Sequence, residues 1–174
     1  MRKVAVVPPD LLWQGMFEAE SQQLSRSFGD NAIAIHHIGS TSIVTIYAKP
    51  IIDILVEVTD LEKVDERNHS IASLGYLAMG EFGIAERRFF RKDNLAGIRT
   101  HHVHTFETGS PQVDRHLAFR DYMRSHPEAA QKYSQLKRQL AQKYPNDIEK
   151  YMDGKAGFIE AIDNQLLPLS STEK

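Results

Sequence analysis

Residues 51–58, IIDILVEV, form an almost unbroken run of apolar, mostly β-branched side chains. Such a run suits a strand covered on both faces, not one that alternates between core and water. A chain that contains it must therefore supply packing layers on both sides of a sheet, and the flanking sequence has the means. Asp10 is placed to cap a helix that carries Trp13, Phe17, Leu24 and Phe28 on one face and ends at Gly29. Residues 32–38 (AIAIHHI) read as a strand stopped by Gly39. Asp60 is expected to cap a helix with Leu61, Val64, Ile71 and Leu74 inward, closed by Gly75. GYLAMGEFG reads as a short strand and turn, and residues 87–92 and 101–107 as two strands joined by DNLAGIRT. Beyond Pro111 the pattern is helical, with Ala129, Tyr133, Leu136, Leu140 and Tyr144 in one stripe. Ile148, Tyr151, Met152, Ile159, Ile162 and Leu166 make a second stripe, and the SSTEK tail is expected to fray.

This order of elements predicts an α+β (or α/β) domain in which helices flank a small mixed sheet. The connections are too irregular for the repeating rhythm of a doubly wound fold. At 174 residues the chain suits one domain, residues 1–174, with an α/β core over 1–110 and a helical portion over 111–167. A formal charge of −2 gives no basic excess of the kind an extended nucleic-acid surface shows. The absence of cysteine excludes disulfides, thiolate metal sites and cysteine nucleophiles. Pro8-Pro9-Asp10 interrupts the N-terminal apolar run before it reaches the length of a signal peptide's core. No apolar stretch approaches the roughly 20 residues that span a bilayer. The expectation is a cytoplasmic protein without a membrane partner.

Within the buried strand, Asp53 sits among Ile51, Ile52, Ile54, Leu55 and Val56. A carboxylate there carries a large desolvation cost unless it is paired or metal-bound, so the choice lies between a salt bridge, for example to Lys49, and a functional site. Strand parity places Asp53, Leu55 and Glu57 on one face. Glu57 stands about 13 Å from Asp53 and cannot share a cation with it; a salt bridge or solvent at the strand end is its expected fate. Ligands must come from another strand. His102 and His104 share a face, about 7 Å apart, whereas His101 points the other way. His36 and His37 also oppose each other and read as structural.

Gly39, Ser40 and Thr41 make a turn that can cradle a phosphate; taken alone, its first reading is a strand end followed by a cap. Arg87, Arg88, Arg91, Lys92 and Arg99 crowd the hairpin before the histidine strand. Arg88 and Arg91 are candidates for phosphate, with a solvated basic edge as the equal alternative. Lys155 falls within the apolar stripe of the last helix, flanked by Gly154 and Gly157, so it must pair, snorkel or enter a cleft.

These segments resemble the GrpB family of the nucleotidyltransferase-fold superfamily. The resemblance is carried by HHIGSTS, AKPIIDILVEV, GYLAMGEFGI, RRFFRK, RTHHVH, the RHLAFRDYMRSHPEAAQKYSQLKRQLA stretch and KYMDGKAGFIEAI. It implies a nucleotidyltransferase-like sheet flanked by helices, with Gly39 and Ser40 on nucleotide phosphates and Asp53 as the first of two metal-binding acids. Leu55 stands at the second acid position, as is common in GrpB-like sequences, and this removes half of the usual two-metal arrangement. The IVTIY segment (43–47) replaces the family's usual Val-Pro-Gly-Leu.

Three functions follow as expectations. The first is a metal-dependent enzyme transferring a nucleotidyl or phosphoryl group to a small acceptor. In it Asp53, His102 and His104 serve the metal and catalysis, while Lys49, Arg88, Arg91 and Lys155 join the turn on phosphate. The second is a protein that binds a nucleotide or another phosphorylated small molecule without catalysis. The third is a single-metal hydrolase built on Asp53 and the two histidines. Magnesium or manganese is the expected cofactor, with zinc or nickel as the alternative.

Overall fold

A computed structural model describes residues 3–166; the expected fraying of SSTEK lies outside the described residues. The IIDILVEV run forms β2 (Ile52–Val58), antiparallel to β1 (Ala32–Ile38) and parallel to β5 (Arg99–Glu107). Outward from β5 come β4 (Arg88–Asp93) and β3 (Tyr76–Ala78), giving a five-stranded mixed sheet ordered β1-β2-β5-β4-β3.

Both faces of β2 are covered, as its composition demands. Ile52, Ile54, Val56 and Val58, all 0% exposed, pack with Val103 and Phe90 against Trp13, Leu24 and Phe28 of α1 (Leu12–Phe28). Asp10 accepts a hydrogen bond from Leu12 N–H at 2.9 Å, and Gly29 ends α1 at φ 64°. The single helix expected after Asp60 is instead two short ones, α2 (Leu61–Asp65) and α3 (Asn68–Ala72). Arg67 separates them at φ −98°, ψ 1°, within the polar Asp65–Asn68 run where Asp and Asn favour local turns over helix. Val64 and Ile71 still reach the core.

On the other face, Leu55, Ile38 and Phe106 pack against Val113 of α4 (Pro111–Ser125). Two further helices, α5 (Pro127–Lys143) and α6 (Ile148–Leu166), pack with α4 around Met123, Ala130, Tyr133 and Ile162. Ile43 and Ile46 of the IVTIY segment enter that cluster, and Tyr47 N–H donates to Ser134 Oγ at 2.9 Å. The segment therefore ties the Gly-Ser turn to the helices. The buried face of α5 is Ala130, Tyr133, Ser134 and Lys137, so the expected stripe through Leu136 and Leu140 is rotated. Gly154 lies directly against the Leu140 side chain, the close helix approach that its small size permits, whereas nothing approaches Gly157 within 4 Å.

Candidate functional site

The parallel register sets Asp53 beside His102 and Leu55 beside His104. Asp53 Oδ1 lies 3.4 Å from His102 Nδ1 and 3.3 Å from His104 Nε2. Burial alone would raise the Asp53 pKa. Hydrogen bonds from the two histidines more than offset it, and the carboxyl stays well below its usual range. Burial likewise pushes His102 below its ordinary value, against the pull of Asp53. Glu57 is remote from this cluster and pairs with His36 at 2.8 Å. His37 faces the α1 side, where it stacks on Phe17 at 4.8 Å and meets Thr41 Oγ1 at 3.0 Å.

Two arginines stand behind the histidines. Arg87 donates to His104 Nδ1 at 3.3 Å and is itself fixed by the carbonyls of Glu81 and Phe82. Arg99 donates to His102 Nε2 at 3.2 Å. Because arginine only donates, the outer ring nitrogens accept and the protons sit on the inner nitrogens, aimed at Asp53. Both arginines belong to the basic hairpin, but they are not the pair singled out from sequence. Arg88 turns to the opposite face and pairs with Asp65 at 2.8 Å. Arg91 pairs in register with His102 but is not among the described residues walling the cavity.

Gly39 adopts φ 72°, ψ −174°, and a Cβ there would lie 2.5 Å from Asp53 Oδ2. Glycine thus lets the turn rest on the carboxylate. Ser40 follows and is hydrogen-bonded to Tyr133. Thr41 does not face the site: its hydroxyl donates to the Ile51 carbonyl at 3.1 Å and is buried.

Beside Asp53 is a cavity of about 200 Å³ walled by Ser40, the two histidines, Lys49, Lys137 and Lys155 together with Ile51, Tyr151 and Met152. Lys137 was not apparent from the sequence. It is 1% exposed, and burial together with repulsion from Lys155 and Lys49 pushes its pKa down to about 6. Burial also lowers Lys155. Lys137 lies four residues after Tyr133 on the buried stripe of α5, so the test that singled out Lys155 would have found it too.

The Asp53, His102 and His104 donor atoms lie within 4.8 Å of one another, a spacing suited to one divalent ion. The arginines oppose coordination through the rings, since a metal-bound imidazole normally offers its outer N–H to an acceptor. Asp53 fits a hard cation through carboxylate oxygen alone. Among the described residues no helix is long and apolar enough to cross a membrane.

A family model described as GrpB protein matches residues 3–165. The chain belongs to the GrpB family. It is 46% identical over 162 residues to the UPF0157 protein YqkA of Bacillus subtilis, covering 93% of this chain but 47% of YqkA, so it spans about half the length of that GrpB relative. The crystal structure of conserved protein GrpB from Enterococcus faecalis matches with a TM-score of 0.90 at 43% identity, over 95% of this chain and 99% of that one. The Cid1 poly(U) polymerase, solved with MgGTP bound, matches with a TM-score of 0.54 at 10% identity, over 79% of this chain and 44% of Cid1. That likeness is one of fold, and it makes this GrpB chain nucleotidyltransferase-like in architecture.

Proposed function

We propose that this GrpB protein is a transferase that moves a nucleotidyl or phosphoryl group from a phosphorylated small molecule to a small acceptor. The observation that carries the reading is the convergence of Asp53, Ser40, Lys49, Lys137 and Lys155 on one cavity beside the Gly39 turn. Lysines and a serine hydroxyl suit phosphate oxygens. His102 and His104 hold the Asp53 carboxylate ionised and fixed, while Arg87 and Arg99 hold the rings. A divalent cation at Asp53, magnesium or manganese in preference to zinc or nickel, would neutralise developing charge on the phosphate. Leu55 favours a second reading, in which the cavity binds the same ligands without turning them over.

A panel of nucleoside mono-, di- and triphosphates, each with and without magnesium or manganese, tests both. A ligand at about 100 times its Kd adds roughly 2.7 kcal/mol, which raises the melting temperature by about 5–10 °C. Asp53→Asn removes the metal-dependent part of that gain. Group transfer to an added acceptor selects the enzyme, and a shift without turnover selects the binding protein. No shift with any nucleotide and either metal overturns both.

A further inference from the structure

β1 is an edge strand, and its free side opens on a second cavity, separate from the one beside Asp53. α1 covers one face of the sheet and α4 the other, so the cleft between them runs along the β1 backbone. The His37 carbonyl points outward into it, where Arg120 donates to it at 3.2 Å. In an antiparallel ladder alternate residues turn their backbone groups the same way, so Ile35 presents its own N–H and carbonyl beside those of His37. The 41–45 segment closes one end. The cavity holds about 580 Å³, within the roughly 300–1,000 Å³ of sites that enclose small molecules.

The charges on its wall are nearly all spent. Arg120 pairs with Asp121 at 2.9 Å, and His36 with Glu57 at 2.8 Å. His37 is neutral at ordinary pH, because burial pushes its pKa down to about 4. Arg124 is the exception. Its Nε donates to the Ser42 carbonyl at 2.9 Å, which fixes the guanidinium, and among the described residues neither terminal nitrogen has an acceptor. Glu18, which accepts from Gln14 at 3.3 Å, keeps one negative charge on the α1 side. Phe17, Ile35 and Val44 supply the apolar part of the wall, and Val44 is 56% exposed.

We infer that this edge cavity binds a small organic acid, a single carboxylate on an apolar body such as an aromatic ring or a branched chain. The two free terminal groups of Arg124 form a planar fork that matches the two oxygens of a carboxylate. Phe17 and Val44 cover the body, and the outward backbone of Ile35 offers it a further hydrogen bond. A doubly charged head meets only one unspent arginine and is opposed by Glu18, so phosphate esters fit less well. The site stands independently of the transferase reading. It bears on the same turn from behind, because the arginine that takes the carboxylate also holds Ser42, the last residue of the Ser40–Ser42 turn beside Asp53.

Amide correlation spectra of the full chain, titrated with benzoate and with isocaproate, test the site. Benzyl alcohol and phenyl phosphate serve as the uncharged and the doubly charged controls. Both acids are expected to shift the amide signals of Ile35, His37, Ser42 and Val44 and to leave those of Lys137 and Lys155 in place. Benzoate should bind at least tenfold tighter than benzyl alcohol and at least threefold tighter than phenyl phosphate. Arg124→Gln should weaken both acids at least tenfold. Val44→Glu, at an exposed position that folding does not need, should weaken them at least threefold by repulsion. No shift from either acid at millimolar concentration, shifts confined to the Asp53 cavity, phenyl phosphate binding as tightly as benzoate, or affinity untouched by both variants overturns the inference. So does an acetyl-Val-Thr-Val-Thr-amide peptide that binds as tightly as benzoate, which would make the cleft a groove for strand addition. Nucleotide transfer, found or not, alters none of these readings.

Discussion

Gly39→Ala is the perturbation that most directly asks whether the turn and the acid form one unit. Gly39 sits at φ 72°, ψ −174°, a region that side-chain-bearing residues occupy at about 1–3 kcal/mol. The new methyl would also lie 2.5 Å from Asp53 Oδ2, 2.9 Å from its Cβ and 3.0 Å from its Cγ. Asp53 cannot simply withdraw. Its backbone lies on β2 between β1 and β5, and Oδ1 is held by His102 and His104. Displacing it gives up at least one charge-assisted hydrogen bond, about 1.5–3 kcal/mol. The two effects sum to about 4 kcal/mol in mid-range, a fall in melting temperature of roughly 12 °C for a chain of this size. Urea unfolding and calorimetry of Gly39→Ala, Asp53→Gly and the double variant separate them. In the Asp53→Gly background the contact is gone and only the backbone part, about 1–3 kcal/mol, should remain. A single variant that melts within about 2 °C of the parent, or a double-mutant cycle with no coupling, would refute the argument.

Other consequences are simpler. Gly157→Ala should stabilise by about 0.5–1 kcal/mol, because its Cβ meets nothing within 4 Å in α6 and alanine is the better helix former. Gly154→Ala should destabilise by about 1–3 kcal/mol through overlap with Leu140; urea midpoints that place the two variants in the opposite order would contradict the helix contact. His37 has its pKa lowered to about 4 by burial, with Arg124 adding to the effect. Above the unfolded value of about 6.5 both states are neutral there. As pH falls from there to about 4 the unfolded chain gains a proton that the native one refuses, removing up to about 3 kcal/mol of stability. His37→Gln keeps a donor for Thr41 and should flatten urea stability across that window by up to about 1.4 kcal/mol per pH unit. An unchanged slope would place the acid sensitivity elsewhere.

The architecture was legible where pattern and burial coincide. The IIDILVEV run announced a strand covered on both faces, the period of two put His102 and His104 on one face of their own strand, and distance along the strand, not parity, excluded Glu57 as a partner for Asp53. The hairpin arginines were less legible because RRFFRK permits either phase. Pairing of Phe89 with His104 places Arg88 on the α1 face, and Arg87, just before the strand, curls back through the Glu81 and Phe82 carbonyls. No periodicity in the sequence records that loop path. Lys137 was open to the test applied to Lys155, since it follows Tyr133 by one helical turn; the most deeply buried positions of α5 are Ala130, Tyr133, Ser134 and Lys137, displaced round the helix from the stripe through Leu136 and Leu140.

Leu55 shows why the missing acid is not simply a lesion. It is 0% exposed and packs with Ile38, Phe106 and Val113 beneath α4. A carboxylate at that position would be buried among apolar groups, so this sheet face could not accept one without rebuilding its contact with the helix. The partner for Asp53 comes instead from across the ladder, where His104 stands beside Leu55 and reaches Asp53 Oδ1. That exchange replaces a second negative charge with a neutral donor, backed by Arg87. Among the described residues one carboxylate then shares its cavity with three lysines, so the two-acid arrangement that would hold two cations is not built on this strand. The lysines of α5 and α6 wall the same cavity from the helical side.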